Sequence, residues 1–491
     1  MDNIDHKETK EIIEHFKHIC QIPHGSKNYT KILEHIIQWC SKNEFQYEQD
    51  DFGNLKVIVI ENEQYSKVPI IIQAHVDMVC TKTTESQHDF DSDPIEIDFV
   101  DEGDVNKTVI TAKQTSLGAD NGIGLSTALL IAEQIKSEKL KVDRSVYLLF
   151  TLDEEIGLVG ASKLGKYPFM PEKAFIINTD GENQHELCIG SAGGSIANIK
   201  FELDEIIDNS KLEIFDCSIS NLKGGHSGRD IDKTHGNAIK IMAQFAEELK
   251  QKSKYHVFGF SGGNAQNAIA SDAKMFFGHH LDEEHHSWFK TLNSLIKDAN
   301  ELYDEKIGYA FGFDNPKYYQ YPKLYNFDKV IQFICELDHG ILKMDPDVPT
   351  LVSASTNIGF TKLEGNVFTI ECMTRASTDE DFDEYYSKLA SLCDKYGAVY
   401  TEPIRRSGWE ASLDEPFIQH AMQVHKEKFG KDPRIYKSHC GLESGELINH
   451  YPDWKCISIG AEIEFPHSTR EYVTIDSIKT LYEWIVALIE T

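Results

Sequence analysis

The chain has 491 residues, of which 41% are hydrophobic, and this length predicts roughly two to four domains with cores of their own. Lysine and arginine total 49 against 80 acidic residues, and the net charge of −31 disfavours binding to nucleic acid and to anionic membrane surfaces. No apolar run approaches the roughly 20 residues that cross a bilayer, and the N-terminal stretch MDNIDHKETK has no signal-peptide core. We therefore expect a cytoplasmic protein whose ten cysteines, none in a C-x-x-C pair, are reduced thiols.

The first third of the chain alternates helical and strand patterns. Apolar residues recur at helical spacing over 9–20 and 30–41, and the segment 118–136 predicts a loop that opens into a helix. Short, β-branched runs predict strands at 55–60, 69–74, 146–152 and 174–178. Because these runs are apolar on both faces, they predict a sheet covered by helices on both sides.

From about residue 195 the pattern changes to alternating strands and amphipathic helices, which is typical of an α+β domain with a half-exposed antiparallel sheet. The predicted strands there include 212–219 and 366–372, and the predicted helices are 236–250 and 382–395. After about residue 400, a strand at 455–459 and a closing helix at 475–489 are expected.

Two segments stand out by composition. The acidic stretch 80–107 has little apolar content and predicts a surface loop or hairpin. The histidine-rich HHLDEEHH at 279–286 could suggest a metal site, but we interpret it as an exposed loop or helix start.

Histidine and acidic residues follow the predicted strands of the first third. His75 and Asp77 in AHVDMV stand two apart and share one face, so the carboxylate could accept the second ring N–H of a metal-bound histidine. Asp120 lies between glycines in GADNGIG, at a strand-to-helix turn where α/β folds carry ligands. Each motif alone is better explained by a structural role, such as a helix cap for Asp120.

Further acidic residues and a histidine complete this pattern. TLDEEIG places three consecutive acids directly after an apolar strand, which is costly unless a cation or a proton compensates them. Glu154 and Glu155 point in different directions, so one could bind metal while the other handles protons. Asp180 ends the strand AFIIN, and His467 lies in FPHSTREYV. These two imidazoles and three carboxylates suit a pair of Zn²⁺ or similar ions that share one bridging carboxylate. The set comprises His75, Asp120, Glu155, Asp180 and His467.

The order of these motifs resembles that of a known family. H-x-D, G-A-D-N-G, D-E-E-x-G, D-G-E, G-G-H-S-G and P-H-S follow one another as in the two-zinc metallopeptidases related to aminoacylase and bacterial carboxypeptidase. The spellings GADNGIG, INTDGE and GGHSG most resemble the aminoacyl-histidine (Xaa-His) dipeptidase branch, the cytosol non-specific dipeptidases. The resemblance covers nearly the whole chain and implies hydrolysis of dipeptides, with Xaa-His dipeptides, including those of β-alanine, among the substrates.

The resemblance implies a role for each clustered residue. His75 and Asp180 would hold one zinc, Glu155 and His467 would hold the other, and Asp120 would bridge them. Mn²⁺ or Co²⁺ could substitute for zinc at these ligands.

The same resemblance assigns roles beside the metals. Asp77 would orient the first metal-binding histidine, and Glu154 would be the general base. In the middle region, His226 in KGGHSGRDI would stabilise the oxyanion and Asn264 in SGGNAQNAI would bind substrate. Arg375 in MTRAS would receive the carboxylate of the substrate.

Glu443 in SHCGLESGEL is the candidate receptor for a free substrate amino group, although Cys440 and Ser444 stand where the branch has Ala and Cys. Two alternative functions stay open. An N-acyl-amino-acid deacylase of the same metal class should have an apolar pocket in place of this acid. A non-catalytic, peptide-binding descendant should have lost Glu154 or a ligand, and every expected position is filled.

The expected fold is α/β, with a zinc-peptidase-like catalytic domain in which helices flank a mixed sheet. This domain would comprise residues 1–195 and 400–491, because His467 must return to a site made by the first 180 residues. Residues 196–399 would form an α+β lid domain, with a ferredoxin-like core by resemblance. Related enzymes are often dimers through the lid, so we expect a homodimer by analogy.

Overall fold

The computed structural model describes residue 4 and residues 6–100, 108–206, 212–252, 255–280, 288–313, 324–345, 351–401 and 403–490. The histidine-rich segment 281–286 lies outside them, as do the side chains of 279 and 280, so our interpretation of that segment stays a prediction. The chain forms two compact units. The first comprises Met1–Ser191 and Ser407–Thr491, and the second is Ala192–Arg406.

The helices of the described residues include all of those that apolar periodicity predicts. Their bounds are α1 (Lys7–Cys20), α2 (Thr30–Lys42), α3 (Ala119–Lys136), α4 (Val159–Ser162), α5 (Ala238–Lys252), α6 (Trp288–Tyr303), α7 (Asp328–Glu336), α8 (Asp379–Tyr396), α9 (Pro416–Phe429), α10 (Glu443–His450) and α11 (Ile475–Glu490). Among these residues, none of the helices is long and apolar enough to span a bilayer.

Strands supply the remaining regular structure. In chain order they are β1 (Gln46–Gln49), β2 (Leu55–Ile60), β3 (Ile70–His75), β4 (Ile97–Val100), β5 (Val109–Ala112), β6 (Val146–Thr151), β7 (Phe175–Gly181), β8 (Glu186–Ser191), β9 (Gly193–Glu202), β10 (Glu205–Ile206), β11 (Leu212–Ser220), β12 (His256–Gly262), β13 (Ala273–His280), β14 (Gly308–Phe313), β15 (Leu324–Tyr325), β16 (Gly340–Met344), β17 (Val352–Glu364), β18 (Val367–Ala376), β19 (Val399–Thr401), β20 (Arg405–Arg406), β21 (Trp409–Glu410), β22 (Arg434–Ser438), β23 (Lys455–Gly460), β24 (Ile463–Glu464) and β25 (Tyr472–Thr474).

A mixed sheet forms the centre of the first unit. Its strand order is β1-β2-β6-β3-β7-β23-β8-β21, with β22 paired to β8. The central strands β6, β3, β7 and β23 are parallel, whereas β2 and β8 run antiparallel to their neighbours β6 and β23. Every residue of β3 and β6 is buried, because helices cover the sheet on both faces. The expected α/β class, with a mixed sheet flanked by helices, is confirmed.

A second sheet of the first unit joins distant parts of the chain. Its antiparallel order β24-β25-β5-β4 pairs residues near 470 with residues near 110. The acidic stretch 80–107 therefore contains a strand, β4, in which half-buried and exposed residues alternate. This alternation gives only a weak pattern in the sequence. The β24–β25 hairpin carries His467 in its loop.

The second unit is built on another sheet, with strand order β14-β11-β13-β12-β17-β18-β9-β19. Helices α5, α6, α7 and α8 contribute to its apolar core. The limits expected from the sequence, 196 and 399, lie inside this unit, because β9 starts at Gly193 and pairs with β20 at Arg405. A ferredoxin-like core for this unit stays a prediction.

Candidate active site

Three neighbouring parallel strands carry functional candidates to the same edge of the central sheet. Strand β3 ends at His75, which is paired with Thr151 at the end of β6. The acidic turn with Glu154 and Glu155 follows β6 directly, and β7 carries Asp180. Because β3 lies between β6 and β7, these side chains converge.

Two further residues reach this edge from other elements. Asp120 is the second residue of α3, which begins after a turn at Gly118. His467 comes from the loop of the β24–β25 hairpin, and the pairing of β25 with β5 brings that loop toward the start of α3. The discontinuous chain of the first unit is thus what assembles the cluster.

Asp120 lies between two groups of donor atoms. Its Oδ1 is 3.0 Å from Nε2 of His75, and Oδ1 of Asp180 is 3.2 Å from the same nitrogen. Its Oδ2 is 3.2 Å from Nε2 of His467, and Oε2 of Glu155 is 3.0 Å from that nitrogen. Each oxygen of Asp120 therefore faces a different histidine and carboxylate pair.

The donor set fits divalent cations. Burial raises the pKa of Asp180 well above its usual range, and the nearby Asp120 raises it further. Burial and Asp120 also raise the pKa of Glu155, whose Oε1 is buried with no hydrogen-bond partner from the described segments. Crowded, desolvated carboxylates of this kind need a compensating positive charge. Imidazole nitrogens and carboxylate oxygens are ligands that zinc takes in proteins, so a metal site at this cluster satisfies the chemistry of its donors.

Asp77 contacts the acidic turn more closely than it contacts His75. Nδ1 of His75 donates to the backbone carbonyl oxygen of Asp77 at 2.9 Å, whereas the carboxylate is 3.8 Å away. That carboxylate accepts the backbone N–H groups of Glu154 at 2.9 Å and Glu155 at 3.3 Å, and the hydroxyl of Ser26 at 2.7 Å. The expected link from Asp77 to His75 thus runs through the backbone, because the side chain is already committed to the turn.

Glu154 lies beside the metal-binding candidates without pairing to either histidine in the contacts described above. Burial raises the pKa of its carboxyl well above the usual range, His75 opposes the shift, and Glu155 and Asp180 reinforce it. A carboxyl group in such surroundings accepts a proton more readily than an exposed one, as a general base must.

Glu443 begins α10 and is fully buried. Its Oε2 accepts hydrogen bonds from Nε2 of Gln73 at 2.6 Å and from Oγ1 of Thr151 at 2.8 Å. Its Oε1 is buried, with no partner in the part of the chain that the structure describes. Burial raises its pKa to about 7. The acid therefore lies against β3 and β6, close to the residues at their carboxyl ends.

The remaining candidates belong to the second unit. Nη2 of Arg375, a buried residue of β18, lies 3.5 Å from Nε2 of His226. Nδ1 of His226 accepts the backbone N–H groups of Gly228 and Arg229, both at 3.3 Å. Asn264 is exposed in the segment between β12 and β13. The structure thus brings His226 and Arg375 together within the unit.

Sequence reasoning missed two polar side chains near the cluster. Nδ2 of Asn121 donates to Oδ1 of Asp180 at 3.0 Å, and its position inside the GADNG motif was a usable signal. Glu471 accepts three backbone hydrogen bonds from the residues before Asp120. No sequence pattern distinguishes it from the many other acids of this chain.

A mixed sheet that gathers two imidazoles around a shared carboxylate, beside a buried acid, has the donors that a metal-dependent hydrolase requires. The chain matches the model of peptidase family M20/M25/M40 over residues 71–491, and it belongs to this family of hydrolytic enzymes.

Relatives cover the chain almost completely. The cytosol non-specific dipeptidase of Escherichia coli (strain K12) is 30% identical over 485 residues, which are 97% of this chain and 96% of the relative. The crystal structure of aminoacylhistidine dipeptidase from Vibrio alginolyticus superposes with a TM-score of 0.77 at 27% identity, over 100% of this chain and 99% of that one. A tripeptidase from Staphylococcus aureus, with a TM-score of 0.57 and 14% identity over 98% of both chains, shares the fold.

Proposed function

We propose that this chain is a metallo-dipeptidase that hydrolyses dipeptides, with Xaa-His dipeptides among its substrates, at a centre of two divalent cations. The observation that carries the proposal is the position of Asp120, whose two oxygens lie 3.0 Å from His75 and 3.2 Å from His467. One carboxylate facing two separate ligand groups is what a bridged pair of cations requires. The names of the relatives in Escherichia coli and Vibrio alginolyticus support a dipeptide substrate.

The proposed ligands divide between two cations. His75 and Asp180 would hold one, Glu155 and His467 would hold the other, and Asp120 would contact both. Zinc fits these donors, and Mn²⁺ or Co²⁺ could replace it. When bound, such ions act as Lewis acids toward a peptide carbonyl and lower the pKa of water.

Glu154 is the proposed general base. Its carboxyl would take a proton from the attacking water and return it to the leaving amine, so one side chain serves both halves of the reaction. Its backbone N–H is held at 2.9 Å by the carboxylate of Asp77, which fixes the start of the acidic turn. Glu154 and Glu155 are therefore not interchangeable, because one handles protons and the other is a ligand.

The proposed substrate-binding residues match the two charged ends of a dipeptide. The buried Oε1 of Glu443 has no hydrogen-bond partner among the described residues and could accept a substrate ammonium group. Arg375 would receive the free carboxylate, His226 would stabilise the oxyanion, and Asn264 would hydrogen-bond the peptide. An N-acyl-amino-acid deacylase would gain nothing from the carboxylate of Glu443, which is why we favour a substrate with a free amino group.

Release of free histidine from a panel of Xaa-His dipeptides, measured beside their N-acetylated forms, tests the proposal. We expect release from the free dipeptides, loss of release with a chelator, and recovery with Zn²⁺ or Mn²⁺. Preferential cleavage of the acetylated forms would establish the deacylase alternative. No cleavage of either form with metals bound would favour the peptide-binding alternative.

A general-base variant sharpens this test. Glu154→Gln should retain its metals and lose about 10²- to 10⁴-fold in kcat, as removal of a positioned base does. Glu96→Gln, an acid-to-amide change at an exposed residue of the same unit, is the matched control. Full activity of a metal-loaded Glu154→Gln protein would contradict the proposed role.

The cellular setting is also a proposal. The relative from Escherichia coli is a cytosolic enzyme by name, and the cysteines of this chain form no disulfide among the described residues. We propose that the enzyme acts in the cytosol on dipeptides and as a homodimer. The molar mass in solution tests the dimer.

A further inference from the structure

A buried carboxylate outside the proposed ligand set lies beside the metal centre. Glu471 is 2% exposed and directly precedes β25. Its Oε2 accepts the backbone N–H of Leu117 at 2.7 Å and of Gly118 at 3.1 Å, and its Oε1 accepts the N–H of Ala119 at 2.8 Å. Three backbone hydrogen bonds therefore converge on this single side chain, and both of its oxygens take part.

The backbone before α3 is shaped around this carboxylate. Gly118 adopts a left-handed conformation with φ 74°, so the successive N–H groups point to the same side and form an anion-binding concavity. A Cβ atom at Gly118 would lie 2.9 Å from Sδ of Met78, and only glycine fits without strain. The three N–H groups precede the regular part of α3, because Asp120 and Asn121 have non-helical backbone angles.

The contact joins the two chain segments that carry ligands. Asp120 directly follows Ala119, and His467 lies four residues before Glu471 in the hairpin loop. These ligands are 347 residues apart in sequence, yet Oδ2 of Asp120 lies 3.2 Å from Nε2 of His467. The ladder between β25 and β5 pairs residues 472–474 with 109–111, so it ends before either ligand.

We propose that Glu471 is a positioning residue that fixes Asp120 relative to His467 and thereby sets the affinity for the cation held by His467 and Glu155. The inference rests on the proposed two-cation function. Glu471 does not touch the ligand atoms in the contacts described above. It acts through the backbone of 117–119 on one side and through the hairpin loop on the other.

A change of Glu471 to glutamine tests the carboxylate with almost no change in volume. The amide has one acceptor oxygen in place of two, so an NH₂ group must face at least one of the backbone N–H groups. The hairpin loop should move away from that turn and carry His467 with it, while Asp120 stays beside His75. The half of the site formed by His75 and Asp180 does not depend on the hairpin.

The experiment is titration of the metal-free, full-length protein with Zn²⁺ against a chromophoric chelator. The wild-type protein should bind two ions. Glu471→Gln should bind one with wild-type affinity and the other about 10- to 100-fold more weakly, as is typical when groups that hold metal ligands are lost. Thr111→Val is the matched control, because the Thr111 hydroxyl donates to the backbone carbonyl of Glu471 at 2.8 Å and the change spares the carboxylate.

The outcomes separate this inference from the proposed function. A wild-type protein that binds fewer than two ions would contradict the two-cation function itself. Two ions bound by Glu471→Gln with wild-type affinities, or an equal weakening in Thr111→Val, would overturn the positioning role. If Glu471→Gln does not fold, hydrogen exchange of the wild-type, metal-free protein tests the inference instead. The amides of 117–119 should then exchange slowly, and fast exchange would overturn the inference.

Discussion

The carboxylate of Asp77 accepts a hydrogen bond from the backbone N–H of Glu154 at 2.9 Å. Its second oxygen accepts the N–H of Glu155 at 3.3 Å and the hydroxyl of Ser26 at 2.7 Å. An acid after β3 therefore holds the turn after β6, where the proposed base and a proposed ligand stand side by side. The contact links the ends of two adjacent parallel strands, β3 and β6, through the buried side chain of Asp77.

The role of Asp77 leads to the first prediction. Asp77→Asn keeps the volume of the side chain but leaves one acceptor oxygen for three donors, so the turn with Glu154 should be misplaced. We expect kcat to fall by about 10- to 100-fold in steady-state assays. Ser26→Ala removes only one donor and should lose less activity. A kcat of Asp77→Asn equal to that of the wild type would show that the turn does not need this carboxylate.

The shared position of Asp120 leads to a prediction about metal content. Asp120 faces both histidines, whereas Asp180 lies near His75 alone in the contacts described above. Asp120→Asn should weaken binding of both cations, and Asp180→Asn should weaken binding of one. Elemental analysis of dialysed protein gives the stoichiometry. Equal stoichiometry in the two variants would contradict a bridging role for Asp120.

Most of the candidate ligands could be predicted from the sequence because they stand directly after a recognisable strand or turn. His75 and Asp180 follow apolar, β-branched runs, and the parallel order of β3, β6 and β7 then brings their carboxyl ends together. His467 has no such local signal, and only the order of motifs along the chain suggested it. Periodicity also predicted the main helices, such as α3 and α11, within a few residues.

Other features depended on tertiary contacts that spacing does not contain. Residues two apart in a strand share a face, but spacing does not say whether the carboxylate of Asp77 meets the ring of His75 or the next turn. The burial of Glu443 depends on Gln73 and Thr151, which come from two other parts of the chain. The outer limits of the second unit depend on the pairing of β20 with β9, and β20 has only two residues.

A pair of histidines leads to a prediction about pH. Nδ1 of His185 lies 3.0 Å from Nε2 of the fully buried His425, and burial lowers the pKa of His185 to about 4. The unfolded chain protonates this group near its ordinary value of 6.5, so the unfolded state binds more protons between pH 6.5 and about 4. The free energy of unfolding should therefore fall as the pH falls through this window.

A substitution at this pair isolates its contribution. His185 has φ 63°, a conformation that asparagine tolerates, so His185→Asn removes the imidazole with little backbone strain. Between about pH 7 and pH 4.5, the free energy of unfolding should fall by about 1 kcal/mol less for the variant than for the wild type. The difference is small because His185 is partly exposed. Urea unfolding at several pH values measures the difference. His256→Asn, which removes an exposed imidazole, should follow the wild-type curve, and an identical curve for His185→Asn would contradict the prediction.

The close approach of two strands below the metal cluster gives the last prediction. Gly460 of β23 is paired with Gly181 of β7, and a Cβ atom at Gly460 would lie 1.6 Å from the carbonyl oxygen of Gly181. The three nearest atoms all belong to the backbone of Gly181, so relief requires the strands to separate. Gly460→Ala should therefore cost at least about 3 kcal/mol of stability, the upper part of the range for overpacked cores.

The position of Gly181 adds a functional consequence to this prediction. Because Gly181 directly follows Asp180, separation of the strands should also move this proposed ligand and reduce metal binding. Chemical unfolding together with Zn²⁺ titration measures both effects. Gly194→Ala is the control, since the Cβ atom there would meet only the flexible end of Met373 at 3.0 Å. A Gly460→Ala protein with the stability and zinc affinity of the control would mean that β7 and β23 can separate without disturbing Asp180.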